Sequence, residues 1–444
     1  MDSKTENVCV EKSRAALRAL YLKDSRPWVV AYSGGKDSTA VLQLVYELIS
    51  ELHTHGQDVK PVFVISSDTR VEAPNVAEYV TAALSKISIS AKEHGLPISV
   101  ELVTPEPSES FWGKIAGLGY PPPTRWFRWC TTNMKIRPSR RAIEEITARY
   151  GSVILLLGSR SDESLQRANS IAIRDITDDG LNRHHEIPNA LTFKPIVSWT
   201  TDEVWEYLYE NTPPWGGDHD FMLSLYRKAS GGECPVVLDL NTPSCGGSRF
   251  GCWTCTVVKE DKSMQGFIDS GDTTLQPLKD LRDWLKFIRE DPERRSPLRR
   301  DGKTAGPGPF NPSTRREILS KVLELESSVG FELIADNDIL YIQQEWTKEF
   351  DYAESALTLA KQYGRDLSMH KASGSPTPVD LILEACAVEI DFPPELAMEL
   401  IEKVRGSYAD LGRWGAKKEL ADAISDLIKK DVRQSEKADP ANDI

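Results

Sequence analysis

Six residues early in the chain, Ser33-Gly34-Gly35-Lys36-Asp37-Ser38, have the types and spacing of an anion-binding turn. The glycines let backbone N–H groups approach a ligand closely, and Lys36 adds positive charge. A short apolar run, Val29-Val30-Ala31, precedes them. A helical pattern with Val41, Leu42, Val45 and Leu48 on one face follows, and Asp37 or Ser38 is expected to cap it. A strand feeding a glycine turn and a helix N-terminus is a site for phosphate. A Walker A loop is excluded, because that motif needs Gly and Ser or Thr where Val30 and Asp37 stand. The plain alternative is an ordinary strand–helix turn of small residues.

Four of the seven cysteines fall in one stretch, Cys234-x10-Cys245-x6-Cys252-x2-Cys255, with Gly246, Gly247 and Gly251 among them. Clustered thiols on pliable backbone read as ligands; buried structural thiols are the alternative. Structural zinc favours two matched C-x2-C pairs. One tight pair with irregular spacing around it favours a [4Fe–4S] cluster on four thiolates. Cys130 stands apart, near Arg128, Lys135 and Arg137. Those cations are expected to lower its pKa, making it a sulfur-carrying nucleophile or an extra cluster ligand, if it is not an inert thiol beside a helix start. The same segment interleaves Trp126, Phe127 and Trp129 with Arg125, Arg128, Arg140 and Arg141. Aromatic faces stack on bases and Arg pairs with phosphates, so these arginines and Arg137 are nucleic-acid-binding candidates; core packing is the alternative for the aromatics.

A third polar group, Gly158-Ser159-Arg160-Ser161-Asp162-Glu163-Ser164 with Arg167, follows an apolar run. Arg160 and Arg167 are expected to meet an α-phosphate and substrate, and the carboxylates to hold Mg²⁺ or a ribose. A surface loop with a salt bridge is the alternative. Arg294, Arg295, Arg299, Arg300, Lys303, Arg315 and Arg316 form a basic arm or a solvated linker. His184 and His185 have no partner spacing and read as surface.

The elements that must position these groups alternate. A helix over Val8–Leu22 leads into the first strand, and a second strand, Pro61–Ile65, ends at Ser66-Ser67-Asp68. A helix over Asn75–His94, a strand over Ile98–Val103, a helix closing at Tyr150 and a strand over Val153–Leu157 follow. A segment over Leu191–Val197 precedes a helix with the capping box Thr200-x-x-Glu203. Strands alternating with helices mean a parallel α/β sheet, whose ligands sit beyond the carboxyl ends of the strands. Ser33–Ser38, Ser67 with Asp68, and Gly158–Glu163 all lie at such ends and should converge on one nucleotide. Thr104–Lys135 interrupts the alternation, and from Arg316 onward the pattern is helical.

The 444 residues suffice for a core domain with additions. A net charge of -13 rules out nucleic-acid binding by bulk charge, so any such role rests on local basic patches. The N-terminus has no apolar signal core and no run reaches membrane-spanning length, so a cytoplasmic protein without a membrane partner is expected. In a reducing compartment the cysteines point to metal or thiol chemistry.

The Ser33–Ser38 loop resembles the SGGxDS pyrophosphate loop of the ATP pyrophosphatases. With Gly158–Glu163, Lys135-x-x-Pro138 and Pro195-Ile196-x-x-Trp199-Thr200, the chain resembles their PAPS reductase-like group. Within it, Phe111–Pro138 and the run from Cys234-Pro235-Val236-Val237 through Cys252-Trp253-Thr254-Cys255 are similar to the DndC family of DNA phosphorothioation sulfurtransferases. The likeness spans roughly residues 10 to 290. It implies an α/β Rossmann-like core of the adenine nucleotide alpha hydrolase type with a cysteine-rich insertion and a helical C-terminal region. The expected division is 1–210 for the nucleotide domain, 211–291 for the cluster region, 292–316 for a basic linker and 317–444 for the helical domain. It also implies ATP with Mg²⁺, a [4Fe–4S] cluster, DNA as substrate, a cysteine desulfurase as sulfur donor, and DndD- and DndE-like partners. In this scheme Ser33 to Ser38 grip the pyrophosphate, and Lys36, Asp37, Arg160, Lys135 and Cys130 carry the chemistry. Assimilatory APS reductases carry a Cys-Cys pair where Trp129-Cys130 stands, which weakens a simple reductase reading. A PAPS or APS reductase, a tRNA-thiolating enzyme and a non-catalytic zinc-stapled nucleic-acid scaffold are the rivals.

Overall fold

The computed structural model describes residues 8–161, 181–184, 187–229, 251–300, 303–349, 351 and 353–367. Glu163, Arg167, Cys234 and Cys245, with most of the expected 317–444 helical region, lie outside these residues. The chain divides into two units, residues 1–106 with 124–279, and residues 107–123 with 280–444.

In the first unit the described strands are β1 (Trp28–Ala31), β2 (Val62–Ser67), β3 (Ile98–Val103), β4 (Val153–Leu156), β5 (Asn182–Arg183) and β6 (Ala190–Phe193). They form one sheet in the order β3-β2-β1-β4-β6-β5. All neighbours run parallel except β5, which pairs antiparallel with β6 at the edge. This is the α/β sheet that the alternating pattern predicts. The period of two along each strand explains why both faces are covered. Trp28, Val30, Val62, Val64, Ile154 and Leu156 point into one core with α1 (Val8–Lys23), α2 (Lys36–Thr54), α3 (Pro74–Glu93), α5 (Thr201–Glu210) and α6 (Asp220–Ala229). Val29, Ile65, Val153 and Leu155 point the other way, onto Ala142, Ile143 and Ile146 of α4 (Arg137–Tyr150). Two further helices, α7 (Lys262–Asp269) and the start of α8 (Gln276–Arg289), end the unit.

In the second unit, α9 (Pro312–Val329), α10 (Asp336–Thr347) and α11 (Ser355–Gln362) follow α8. Residues 107–123, from the stretch that interrupts the strand–helix alternation, belong here. Their π-helical turn, Gly113–Gly117, is held by Trp346 Nε1 donating to the Ala116 carbonyl at 2.8 Å and Arg315 donating to the Gly117 carbonyl at 2.8 Å. Trp112 Nε1 donates to the Leu333 carbonyl at 2.7 Å.

The segment read as a basic arm in contact with DNA or as a solvated linker folds as a short hairpin on this unit. Ser296 N donates to Pro309 O and Gly308 N to Ser296 O, both at 2.8 Å. Arg295 donates to the carbonyls of Gly308 and Pro307, and Arg294 pairs with Glu317. Arg294 and Arg295 are thus spent on a carboxylate and backbone carbonyls of their own unit.

Candidate active site

The strand–turn–helix begins where β1 ends. Gly34 has φ +73°, and a Cβ there would meet Val80 Cγ2 at 2.5 Å, so the turn requires glycine on both counts. The N-cap of α2 is Gly35, with no side-chain cap, which corrects the expectation of Asp37 or Ser38. Both residues lie inside the first turn and are used otherwise. Ser38 Oγ donates to the Gly35 carbonyl at 2.9 Å and lies 3.1 Å from Ser33 Oγ, closing the loop on itself. Asp37 spends both oxygens on cations: Oδ2 on Lys36 Nζ at 2.7 Å and Oδ1 on Arg160 Nε at 2.6 Å.

Arg160 comes from beyond β4 and is only 2% exposed. Its remaining nitrogens donate to the Trp199 carbonyl at 3.1 Å and to Thr201 Oγ1 at 3.0 Å. One guanidinium thus ties the Ser33–Ser38 loop to the start of α5, where the expected Thr200–Glu203 capping box is formed. Gly158 permits this approach, because a Cβ there would lie 2.8 Å from the Asp37 carbonyl carbon and 3.0 Å from Ser38 N. Tyr226 of α6 closes the loop from the other side, its hydroxyl accepting from Lys36 N at 3.3 Å.

A cleft of about 720 Å³ opens at the carboxyl ends of β1, β2 and β4. Ser33, Gly35, Lys36, Asp37, Ser38, Ser67, Asp68, Gly158 and Arg160 all line it, so the three polar strand ends converge as predicted. Ser67 Oγ lies 2.8 Å from Ser139 Oγ, and Asp68 Oδ1 accepts from Arg70 N at 2.7 Å. His184, read as surface, also lines the cleft, because β5 turns back along β6 and brings it to the sheet's edge.

Lys135 lines the same cleft. Cys252, Glu72, Cys130 and Cys255 around it raise its pKa above the usual lysine range, Cys252 most of all. Burial pushes the Cys252 thiol up to about 12, against the pull of Lys135. The expected low pKa of Cys130 is overturned: burial and then the neighbouring Cys255 raise it, outweighing the Thr131 hydroxyl. Arg128 and Arg137, invoked for the lowering, are exposed to water, where their charge is screened.

Glu72, which sequence reasoning missed, is a further member. It accepts from Thr69 N at 2.9 Å, and Thr69 Oγ1 lies 3.3 Å from Cys252 Sγ. Burial holds its carboxyl above the usual range, and Asp68 adds to this. A single β-bridge between Glu72 and Cys252 brings the cysteine stretch to the end of β2. Its position four residues past Asp68, just beyond a strand's carboxyl end, was a usable signal. Tyr226 offered none.

Among the described residues no group of three or more His, Cys, Asp or Glu has metal-holding geometry. Of the four expected cluster ligands, Cys252 and Cys255 lie among the described residues. Of the arginine candidates, Arg125 and Arg128 are exposed on the loop before Cys130, and Arg137 is exposed at the start of α4. Arg141 is half-buried, and Arg140 lines the cleft while pairing with Glu144 at 2.7 Å.

A model of the phosphoadenosine phosphosulfate reductase domain matches residues 27–258. Two uncharacterized proteins of Methanocaldococcus jannaschii are 27% and 26% identical over 244 residues, covering 55% and 53% of this chain. The matched stretch spans only 39% and 50% of those relatives' own lengths. Among solved structures, a phosphoadenylyl-sulfate reductase from Candida auris in a phosphate complex overlaps 48% of this chain and 88% of its own. It is 16% identical, with a TM-score of 0.29. The U34-tRNA thiolase NcsA of Methanococcus maripaludis with its [4Fe-4S] cluster overlaps 64% of this chain and 80% of its own, at 11% identity and a TM-score of 0.30.

Proposed function

The chain belongs to the phosphoadenosine phosphosulfate reductase domain family, and on that footing we propose that it is an ATP-dependent sulfurtransferase acting on the phosphate backbone of DNA. The observation that carries this reading is the β-bridge between Glu72, which lines the cleft beside Lys135, and Cys252. The expected nucleotide loop and the cysteine stretch thereby meet at one cleft.

Ser33 to Ser38 and Lys36 bind the β- and γ-phosphates of Mg-ATP, with the metal carried by the phosphates. Asp37 holds Lys36 and Arg160 in place, and Arg160 orders the loop from below. A non-bridging oxygen of a DNA phosphodiester attacks the α-phosphorus and pyrophosphate leaves. The terminal sulfur of a Cys130 persulfide, loaded by a cysteine desulfurase, then forms the P–S bond as the bond to AMP breaks. An external dithiol reduces the S–S bond and is itself oxidised to its disulfide, leaving a phosphorothioate and restoring the Cys130 thiol. Lys135 stabilises the anionic sulfur on its way to the phosphorus. Cys234, Cys245, Cys252 and Cys255 are the proposed ligands of a [4Fe–4S] cluster, on their spacing. DndD- and DndE-like proteins are the proposed partners, on the sequence likeness to DndC.

Product analysis tests the reading. The protein with ATP and DNA should form AMP and pyrophosphate and no ADP, and Lys36→Ala should abolish both products with the fold intact. Mass spectrometry of nuclease-digested DNA from cells with the partners should find phosphorothioate dinucleotides, and Cys130→Ser should remove them. ADP as product rejects the loop assignment, and sulfur appearing in tRNA instead of DNA rejects the substrate. Anaerobically purified protein should hold about four irons per chain; stoichiometric zinc without iron sinks the cluster.

A further inference from the structure

Just before Cys130 the chain makes a tight turn with an unusual tip. Thr124 N donates to the Phe127 carbonyl at 3.2 Å. Phe127 N returns a bond to the Thr124 carbonyl at 3.2 Å and to Thr124 Oγ1 at 3.0 Å. Arg125 and Trp126 are thereby held at the apex, and Trp126 is 93% exposed. Every other tryptophan among the described residues is buried or half-buried, so the usual packing role does not account for it. Phe127, beside it, is 44% exposed. Arg125 and Arg128 flank the aromatics, both exposed and without an ion pair among the described residues. The turn is rooted by Trp129, 7% exposed, whose carbonyl accepts from Asn133 Nδ2 at 2.9 Å. Cys130 follows directly, within the electrostatic reach of Cys255 and Lys135.

A pre-formed turn that holds an exposed indole between two exposed cations is complementary to a ligand with flat faces and regular negative charge. A nucleic-acid strand has both. In a duplex the base faces are covered by their neighbours, so a convex aromatic tip meets an open face only where a base is unstacked. We propose that Trp126 is a stacking platform for an unpaired base, with Arg125 and Arg128 on the adjoining phosphates, so that the substrate strand is taken single-stranded beside Cys130. This rests on the proposed nucleic-acid substrate and adds the strand state in which it binds. In a chain of net charge -13, stacking offers affinity that bulk charge cannot.

The test is fluorescence anisotropy with one labelled oligonucleotide, offered single-stranded and as its duplex, over a salt series without ATP. The wild-type protein should prefer the single strand. Trp126→Ala should lose about tenfold or more on the single strand and much less on the duplex, while Trp126→Phe stays within a few-fold of wild type. The salt slope should be unchanged in Trp126→Ala, since stacking releases no counterions, and shallower by about 0.7 in Arg128→Ala. Equal affinity of Trp126→Ala and wild type for the single strand overturns the proposal, as does an equal loss on both forms. A thermal melt matching wild type excludes misfolding of the tip variants. If Trp126-dependent binding is found and phosphorothioate is not, the sulfur-transfer reading falls and the strand-binding site stands.

Discussion

Arg160 organises the site's polar contacts: it reaches Asp37, the Trp199 carbonyl and Thr201 from a nearly dry position. A lysine there keeps the charge but cannot present a planar fork to three partners. Arg160→Lys should therefore weaken ATP binding by roughly tenfold, a cost of about 1.4 kcal/mol, measured by titration calorimetry. Binding equal to wild type would show that the loop orders itself. Gly158 is the second sensitive point, because its missing side chain makes room for the Asp37–Ser38 backbone. Gly158→Ala must push that backbone aside, at about 1–3 kcal/mol. A lowered melting temperature together with weaker ATP binding is expected; an unchanged loop would show in unchanged affinity. These residues were legible as types, since small residues and an arginine at strand ends are phosphate chemistry. Their pairings were not: nothing local says that Asp37 holds Lys36 and Arg160 rather than capping its helix.

At the scale of elements, α6 presents Tyr226 to the loop and is seated on α2 through the preceding residue pair His219 and Gln43. His219 is 7% exposed, and its Nε2 lies 3.0 Å from Gln43 Oε1. Burial lowers its pKa to about 4, against the opposing pull of Asp218 and Asp220. The folded value lies below the unfolded value of about 6.5, so folding favours neutral His219. Its contribution is full above about pH 6.5 and is lost as pH falls from there toward 4, by up to about 3 kcal/mol. The melting temperature should be level above pH 6.5 and drop below it, and His219→Gln should flatten that segment of the profile. ATP affinity should fall over the same window, because Tyr226 rides on the same helix; parallel profiles for wild type and His219→Gln would exclude this residue. The elements themselves were readable. The third strand has the expected bounds, Ile98–Val103, and the Thr200–Glu203 box starts α5 as read. Apolar period and capping chemistry are local properties, and local properties survive into the fold. The hairpin around residues 295–310 was not readable, because its arginines bond backbone carbonyls that no composition reveals.

For the whole molecule, charge sets the terms of nucleic-acid binding. At a net charge of -13, association must run through few cations, chiefly Arg125, Arg128 and Arg137. The slope of log affinity against log salt on single strands should thus be about -2, corresponding to about three phosphates at 0.7 each. A slope steeper than about -5 would require a basic surface elsewhere. The alternating strands and helices, the glycine turn at Ser33–Ser38 and the convergence of three polar strand ends were determined by the sequence alone. Each follows from side-chain period or from turn residues within a few positions of one another. Tertiary structure alone decided which distant pieces complete the site. Tyr226 meets Lys36 across 190 residues, and Thr69 meets Cys252 across 183. It also decided that residues 107–123 leave the sheet's unit for the helical one, where Trp346 and Arg315 satisfy their carbonyls. The reason is physical: period and turn chemistry act through neighbouring residues, whereas partners this far apart are chosen by which surfaces the finished sheet and helices leave to be covered.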